Sequence, residues 1–594
     1  MKKIINKPET LVREMGRGMA LAHPELEFES KYKVLRRKEL NRNKVALISG
    51  GGSGHEPAHG GFVGRGMLDA AVCGDVFASP SQIQVYQAIR STAGPKGALL
   101  IIKNYSGDMM NFKNAAYLAS EDGIDVDYVR VDDDIAVQDS LYTVGRRGVA
   151  GTILVHKIAG AAAEAGLSLP EVKAAAEHAA SRVRSIGFAL TSCTVPAKGT
   201  PTLELQEGEM EYGVGIHGEP GIRREPVATA DELARRMVQA LAEQLELSAE
   251  ERPEVALLVN GFGGTPLQEL YLLHHAVMRE LTGLGVTVLK ALVGNYMTSL
   301  DMAGASVSLM KLDDGLKKWL AEPCDTPALK LNGGPLIPVQ IAVEEPESAA
   351  GQSPADSSSG GAESMPDPSM GHIRNNRLSL ENLIFLVDTM SGIIIRNEVP
   401  FCELDAHAGD GDFGMSVAKG FKQLKAEWEG LLADHTEDMG SFLDACSLII
   451  MEHCGGASGP IWGSAFRAAG KYAKGKRELD AAEIAGLMAA MVQGIQATGE
   501  RSFGRGAVVG DKTLIDALVP AAEAWETCAR EGCSLKDAFA RAAEAAVQGA
   551  KRTEEIAARM GRAGTVGDRS IGYPDAGAYA LGVIFTGLAE AVQG

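Results

Sequence analysis

Residues 344–371 (EEPESAAGQSPADSSSGGAESMPDPSMG) constrain the fold of this chain more than any other stretch. They consist of Pro, Ser, Gly, Ala and acids with almost nothing to bury, so apolar contact cannot offset the entropy of ordering them. The stretch reads as a flexible linker, and it divides a chain of 594 residues, too long for one hydrophobic core, into 1–343 and 372–594. Hydrophobic residues make up 45% and charged residues 23%, the mixture of a globular enzyme. The net charge of −19, with no long Lys/Arg run, argues against nucleic acid as a partner. Eight cysteines without a CxxC pair indicate neither a zinc site nor a disulfide framework. No run of about 18 apolar residues and no leader-like N-terminus are present, so a cytoplasmic protein without a membrane partner is expected.

The two parts differ in texture. Before the linker, short aliphatic runs at 45–48, 98–102, 126–131, 254–259 and 286–292 alternate with Ala-rich amphipathic stretches, which predicts an α/β region. Glycine-rich turns follow two of these runs, at 50–54 and 261–264, where open α/β sheets place ligands. A break at 192–200 predicts two α/β subdomains. After the linker, 378–396, 481–498 and 535–560 read as helices, and the region is expected to be all helical. Its glycine-rich breaks fall between helices, where helix N-termini can offer N–H groups to an anion.

The sharpest chemical signal lies in LDAHAGDGDFG, where Asp405, Asp410 and Asp412 crowd into eight residues among Gly409, Gly411 and Gly414. Such crowding calls for a cation, and Mg²⁺ characteristically shares one or two carboxylates with substrate phosphates. Two Mg²⁺ ions bridging these aspartates to a nucleotide would explain both the charges and the glycines. A solvated acidic turn is the plainer alternative; a calcium loop lacks its regular spacing and terminal Glu here. Three further glycine breaks follow, at 455–459 (GGASG), 510–513 (GDKT) and 573–577 (YPDAG). Each alone reads as a helix end or turn. Four around one acid cluster point to an anion site, which is not a P-loop because GxxxxGK[ST] is absent.

In the first part, SGGGSGHEPAH at 49–59 contains His55, Glu56 and His59 in HExxH spacing. Zinc binding by that pattern needs an unbroken helix, and Pro57 with the preceding glycines forbids one. The stretch reads instead as a loop whose N–H groups and His55 meet a small polar ligand, or as a plain strand-to-helix turn. Lys103 and Asp108, in IIKNYSGDMMNF, follow another aliphatic run. They are candidates for a donor to substrate oxygen and a general base, against the alternative of a surface ion pair. His217 lies in EYGVGIHGEPG on a glycine turn, and alone would be incidental.

Together these stretches resemble one known family, the single-chain ATP-dependent dihydroxyacetone kinases, in which a ketose-binding region is fused to an all-helical ATP region. The resemblance rests on SGGGSGHEPAHGGFVG, GDVFASPS, KNYSGD, GIHGEPG and NGFGGTP before the linker, and on LDAHAGDGDFG, GGASGPIWG and GDKT after it. It implies that His217 adds to the substrate carbonyl as a hemiaminal, with His55 assisting. It also implies that Gly52, Ser53, Gly54, His55, Lys103 and Asp108 line the ketose, and that Asp108 activates its terminal hydroxyl. On the ATP side it implies Asp405, Asp410 and Asp412 as Mg²⁺ ligands. Nucleotide contacts would come from Asp412, Phe413, Gly414, Met415, Ala457, Ser458, Gly504, Thr513, Leu514, Asp575, Ala576 and Gly577. The family further implies an antiparallel helical barrel, and a homodimer in which one chain's ATP region serves the other's ketose region.

Some positions depart from the dihydroxyacetone-specific pattern: Phe413 and Met415, Val508 and Val509, and Ala576. They leave room for a four-carbon ketose such as erythrulose as substrate, and glyceraldehyde is a further candidate. Two other readings remain open at this level, an added FAD-cyclising activity at the metal site and a ketose-binding protein that is non-catalytic or takes phosphate from a carrier.

Overall fold

A computed structural model describes residues 3–592 of the chain, except 138–144, 203–204, 220, 340–367, 408, 410 and 561–566. The chain divides into two compact units, Met1–Val343 and Glu344–Gly594. Most of the expected linker falls outside the described residues, and its last four, Pro368–Gly371, form a 3₁₀ turn.

The first unit is mixed α/β and holds two six-stranded sheets. One consists of β1 (Leu26–Glu29), β2 (Val34–Arg37), β3 (Ala46–Ser53), β4 (Ala70–Val76), β5 (Ala98–Lys103) and β6 (Val126–Val131), in the order β1-β2-β4-β3-β5-β6. Its β4, β3, β5 and β6 run parallel. The second consists of β7 (Val183–Ala189), β8 (Glu209–Tyr212), β9 (Arg223–Pro226), β10 (Glu254–Gly261), β11 (Thr287–Gly294) and β12 (Gly304–Lys311), in the order β11-β10-β12-β7-β8-β9. Only β10 and β11 pair in parallel there. β7, which precedes 192–200, already belongs to this second sheet.

Strand alternation distributes the apolar residues. On β5, Leu99 and Ile101 enter one core while Leu100 and Ile102 enter another on the opposite face. On β10, Leu258 joins the core that Leu99 occupies, and Leu257 and Val259 face away from it. The shared core is threaded by the helix Thr152–Glu164, buried along almost its whole length, His156 and Lys157 included. Both faces of each sheet are thus covered, which is why the strands read as continuous aliphatic runs.

The second unit is mostly helical, and among the described residues its strands are one two-residue pair, Leu378–Ser379 with Glu478–Leu479. Helices pack in succession: Met439–His453 on Ser458–Tyr472, then Ala481–Phe503, Ile515–Glu531, Leu535–Arg552 and Ala576–Ala591. Ala576–Ala591 also packs on Leu380–Arg396, which packs on Phe413–Ala426, which packs on Met439–His453. Phe421, Phe442, Trp462 and Trp525 lie in the core they share.

The helix expected over 535–560 stops at Arg552 and continues as a 3₁₀ turn, Thr553–Glu555. The carbonyls of Thr553 and Ile556, which would accept the next helical N–H groups, are taken by Lys512 instead. The helix expected over 481–498 runs on to Phe503 and ends at Gly504 in the left-handed region (φ +77°). Among the described residues no helix is long and apolar enough to cross a membrane.

Candidate functional site

The first candidate site lies at the C-terminal ends of β3, β4 and β5, where loops from both sheets of the first unit meet. The loop after β3 is tied to the loop after β11: Thr298 N–H donates to the His55 carbonyl at 3.1 Å, and Leu300 N–H to that of Gly54 at 2.8 Å. His55 is buried, with Nδ1 2.8 Å from the Thr298 carbonyl. His217, on the turn after β8, has Nδ1 2.8 Å from Glu219 Oε1, and its main-chain N–H donates to Glu219 Oε2 at 2.9 Å.

A carbonyl and a carboxylate can only accept, so both Nδ1 atoms carry protons. The two Nε2 atoms, each left with its lone pair, then face each other at 3.1 Å. Burial pushes His55 well below the ordinary histidine range, and His217 and Lys103 add to that. Burial would raise the Glu219 carboxyl, but His217 and then Arg147 overcome it and hold it at about 2. Arg147 is itself buried and forks onto Asp134, with Nε and Nη2 each 2.7 Å from Oδ2.

Three rings meet the His217 imidazole edge to face, those of His55 (4.7 Å between centroids), Tyr105 (4.7 Å) and Phe77 (5.0 Å). His217 borders an open pocket of about 550 Å³ together with Gly52, Phe77, Tyr105, Asp108 and Glu219. Asp108 is buried at the first turn of the helix Ser106–Glu121, with Oδ2 3.4 Å from Lys103 Nζ. Its Oδ1 has no partner among the described residues. Lys103 is fully buried under Gly51, where a Cβ would come within 2.4 Å of its Nζ.

Of the remaining residues expected here, Ser53 spends its hydroxyl on the Gly74 carbonyl at 2.7 Å. Gly54, at φ +102°, packs on the Phe77 ring. Phe77, Tyr105, Glu219 and Arg147 were not singled out by sequence reasoning. The first three lie inside GDVFASPS, KNYSGD and GIHGEPG, so the motifs contained them without showing their role. Arg147 carries no local signal, since its place depends on a contact formed only in the fold.

The second candidate site is in the helical unit. One cleft is bordered by the N-termini of four helices: Phe413–Ala426, Ser458–Tyr472, Ile515–Glu531 and Ala576–Ala591. Each offers main-chain N–H groups and the positive end of a helix dipole, so the cleft suits an anion. Asp405, Asp412, Phe413, Ala457, Ser458, Thr513, Leu514, Asp575, Ala576 and Gly577 all line it. Gly414 is buried behind the cleft, Met415 is exposed beside it, and Gly504 is the exposed end of its helix; none of the three lines it.

Asp405 Oδ2 accepts the N–H groups of Gly411 at 2.9 Å and Phe413 at 3.4 Å, which wraps the acid loop around its carboxylate. A Cβ on Gly409 would meet Asp405 Oδ1 at 2.2 Å, so this close wrapping requires glycine. Asp410 lies outside the described residues, and among those described no three candidate metal ligands stand together. The donors present, two carboxylates facing an anion-binding cleft, are hard oxygens that fit Mg²⁺. Burial pushes the Asp575 carboxyl up to about 7, with Asp516 and Asp405 adding to the rise and Lys512 opposing it.

Comparison with known proteins matches a domain to each unit. The Dak1 domain matches residues 17–328 and the DAK2 domain residues 407–590. The dihydroxyacetone-binding subunit DhaK of a PTS-dependent dihydroxyacetone kinase from Listeria innocua is 50% identical over 330 residues, 55% of this chain and 99% of that one. Over the full length, the triokinase/FMN cyclase of Rattus norvegicus is 34% identical across 602 residues, 100% of this chain and 99% of that one. The L-erythrulose 1-kinase of Mycolicibacterium smegmatis is also 34% identical, across 603 residues and 99% of each chain. The crystal structure of the dihydroxyacetone kinase from C. freundii with AMP-PNP and Mg²⁺ aligns over 99% of both chains with a TM-score of 0.59 and 31% identity. The chain belongs to the dihydroxyacetone kinase family, ATP- and Mg²⁺-dependent kinases, as a single-chain member with a Dak1 and a DAK2 domain in tandem.

Proposed function

We propose that this kinase phosphorylates the terminal hydroxyl of a small ketose, dihydroxyacetone or a four-carbon ketose such as erythrulose, held covalently on His217. The observation that carries phosphoryl transfer is the convergence of four helix N-termini on the cleft that Asp405 and Asp412 border. The ring of helix contacts, from Leu380–Arg396 round to Ala576–Ala591 and back, supports reading the unit as an antiparallel barrel with this cleft at one end.

The first unit supplies capture. Glu219 holds His217 with its proton on Nδ1, so Nε2 can donate its lone pair to the ketose carbonyl carbon. The carbonyl π electrons move to oxygen, which takes a proton from solvent relayed through His55 Nε2, giving a neutral hydroxyl and returning His55 to its neutral form. His217 then carries the positive charge, which the Glu219 carboxylate balances. Fixing the ketose in this way turns an encounter into a positioned reaction. Asp108, with Lys103 beside it, then accepts the proton of the terminal hydroxyl as that oxygen attacks the γ-phosphorus and the bond from phosphorus to the β,γ-bridging oxygen breaks, releasing ADP. Magnesium at Asp405 and Asp412, with Asp410 as a further ligand, would neutralise and orient the phosphates. Transfer between sites on separate units is served by a homodimer in which one chain's helical unit works on its partner's ketose.

The pocket is roomy for a three-carbon ketose, and a triokinase/FMN cyclase and an L-erythrulose 1-kinase are equally similar to this chain, which keeps three- and four-carbon substrates together in the proposal. The deciding experiment is ADP release by the purified chain with Mg·ATP and a panel of dihydroxyacetone, glyceraldehyde and the two erythrulose enantiomers. Ketose-dependent ADP release is expected for at least one of them. ADP release that is the same with and without every ketose would overturn the reading.

A further inference from the structure

The motif GDKT contains a lysine that the nucleotide reading does not use. Lys512 borders the cleft, and its position suggests a phosphate ligand. Its geometry points elsewhere. The side chain is buried, and Nζ lies 2.7 Å from the Thr553 carbonyl, 3.1 Å from that of Ile556 and 2.8 Å from that of Tyr573, with the Ser570 carbonyl also in contact. An ammonium has three N–H groups, and four carbonyl oxygens already surround this one, so no proton is left for a phosphate.

Those carbonyls come from two segments, 553–556, which follows the helix Leu535–Arg552, and 570–573, which leads into the helix Ala576–Ala591. Thr553 continues the linkage: its carbonyl accepts from Lys512, and its Oγ1 accepts the Asp575 N–H at 2.8 Å. Asp575 in turn caps the helix, accepting the Ala578 N–H at 2.8 Å. The segments are also laced to each other, by Gly572 N–H to the Glu554 carbonyl at 2.8 Å and Ala558 N–H to Ser570 Oγ at 2.9 Å. The neighbouring Asp511 is equally committed, gripping the Arg505 guanidinium with both oxygens and accepting the Val508 N–H.

We propose that Lys512 is a positioning residue, a cationic strut in a cage of four carbonyls that sets Asp575 and the N-terminus of Ala576–Ala591 for the nucleotide. This rests on the reading of the cleft as the nucleotide site. It assigns the lysine of GDKT to loop placement and denies it a phosphate contact.

The two roles separate by chemical rescue. Mg·ATP binding to the full-length protein is measured by calorimetry for Lys512→Ala, Lys512→Gln and Lys512→Arg. A strut predicts that the alanine variant binds about tenfold to a hundredfold more weakly, the span expected from losing hydrogen bonds to a charged group. Methylammonium, which can donate into the vacated cage, should restore part of that binding, and tetramethylammonium, which cannot donate, should not. Glutamine retains two donors for the same oxygens and should fall between wild type and alanine, while the broad arginine fork should do no better than glutamine. Arginine binding as wild type does, with alanine unrescued, would make Lys512 a phosphate ligand and overturn the proposal. If the alanine variant does not fold, the order of glutamine and arginine decides in the same way. If wild type itself fails to bind Mg·ATP, the nucleotide reading falls. The strut is then judged by thermal unfolding of Lys512→Ala, where a rise in midpoint with methylammonium upholds it and no rise overturns it.

Discussion

His55 and His217 point their Nε2 atoms at each other across 3.1 Å, while the Nδ1 of each is held by an acceptor that permits no other tautomer. Both rings therefore turn an Nε2 lone pair toward one point, where, on the proposed mechanism, His55 would relay a proton to the oxygen of a ketose captured by His217. Replacing His55 by Ala should slow ketose capture by about 10²- to 10⁴-fold, the usual contribution of a positioned acid. His217→Ala should abolish the covalent ketose adduct that the proposed mechanism predicts, with mass spectrometry of the intact protein as the measurement. An unchanged capture rate in His55→Ala, measured under single-turnover conditions, would remove its role as proton donor.

Glu219 is the residue on which the His217 tautomer depends. Its carboxyl is depressed to about 2, so its stabilising charge is complete above the ordinary carboxylate value and is lost only as pH falls through about 2. The acid limb of the capture profile should therefore show no inflection near about 4.3, where an unperturbed glutamate titrates. Glu219→Gln should weaken ketose binding by about tenfold to a hundredfold at neutral pH, as expected for a charged hydrogen bond made neutral. Wild-type affinity in that variant would count against the assignment.

Asp108 and Lys103 should separate chemistry from folding. Asp108→Asn is expected to retain the His217 adduct and lose turnover, because the amide cannot accept the hydroxyl proton. Lys103→Met leaves Asp108 buried without its cation and should cost about 3–5 kcal/mol in urea unfolding of the first unit. Comparable turnover in wild type and Asp108→Asn would require another base.

Asp405→Asn and Asp412→Asn should raise the Mg²⁺ concentration needed for half-maximal ADP release and leave the ketose adduct unaffected. Magnesium titrations at fixed ATP measure the first effect, and adduct mass the second. Loss of both together would contradict a division of labour between the two units.

Asp133 links the loop after β6 to β7, accepting the Val149 and Gly151 N–H groups, each at 2.8 Å, and the Ser185 hydroxyl. Burial pushes its carboxyl up to about 6 against these hydrogen bonds. A raised value means that the stability it contributes is complete below the unfolded-state pKa and declines as pH rises through about 6, by at most about 3 kcal/mol. In Asp133→Asn that slope should vanish, so the unfolding free-energy difference between wild type and variant should shift in the variant's favour between about pH 4 and 7. Parallel pH profiles for the two proteins would show that the carboxyl titrates normally.

The strands were legible because both faces of each sheet are covered, so β5 and β10 appear as unbroken aliphatic runs. The helices were legible in their middles, and their ends were less so. Gly504 marks a stop that local sequence could suggest, whereas the stop at Arg552 depends on Lys512, 40 residues earlier in the chain. The acid loop was readable because three aspartates so close together repel one another unless a cation sits among them. Glu219 and Tyr105 were within view but silent, since their effect arises only when the turn after β8 folds back against the ends of β3 and β5. Arg147 was invisible for the same reason, more strongly: its partner Asp134 and its neighbour Glu219 are brought to it by different elements.

Gly51 and Lys103 occupy what is in effect one volume. The lysine ammonium sits where a side chain on residue 51 would begin, 2.4 Å from the first carbon such a residue would add. Among relatives of this chain, the two positions should consequently be coupled: any sequence with a side chain at the first should have the lysine at the second displaced or lost, and with it the cation beside Asp108. A homologue that breaks this pairing would mark a branch whose pocket has been rebuilt for different chemistry, whatever the rest of its motifs retain.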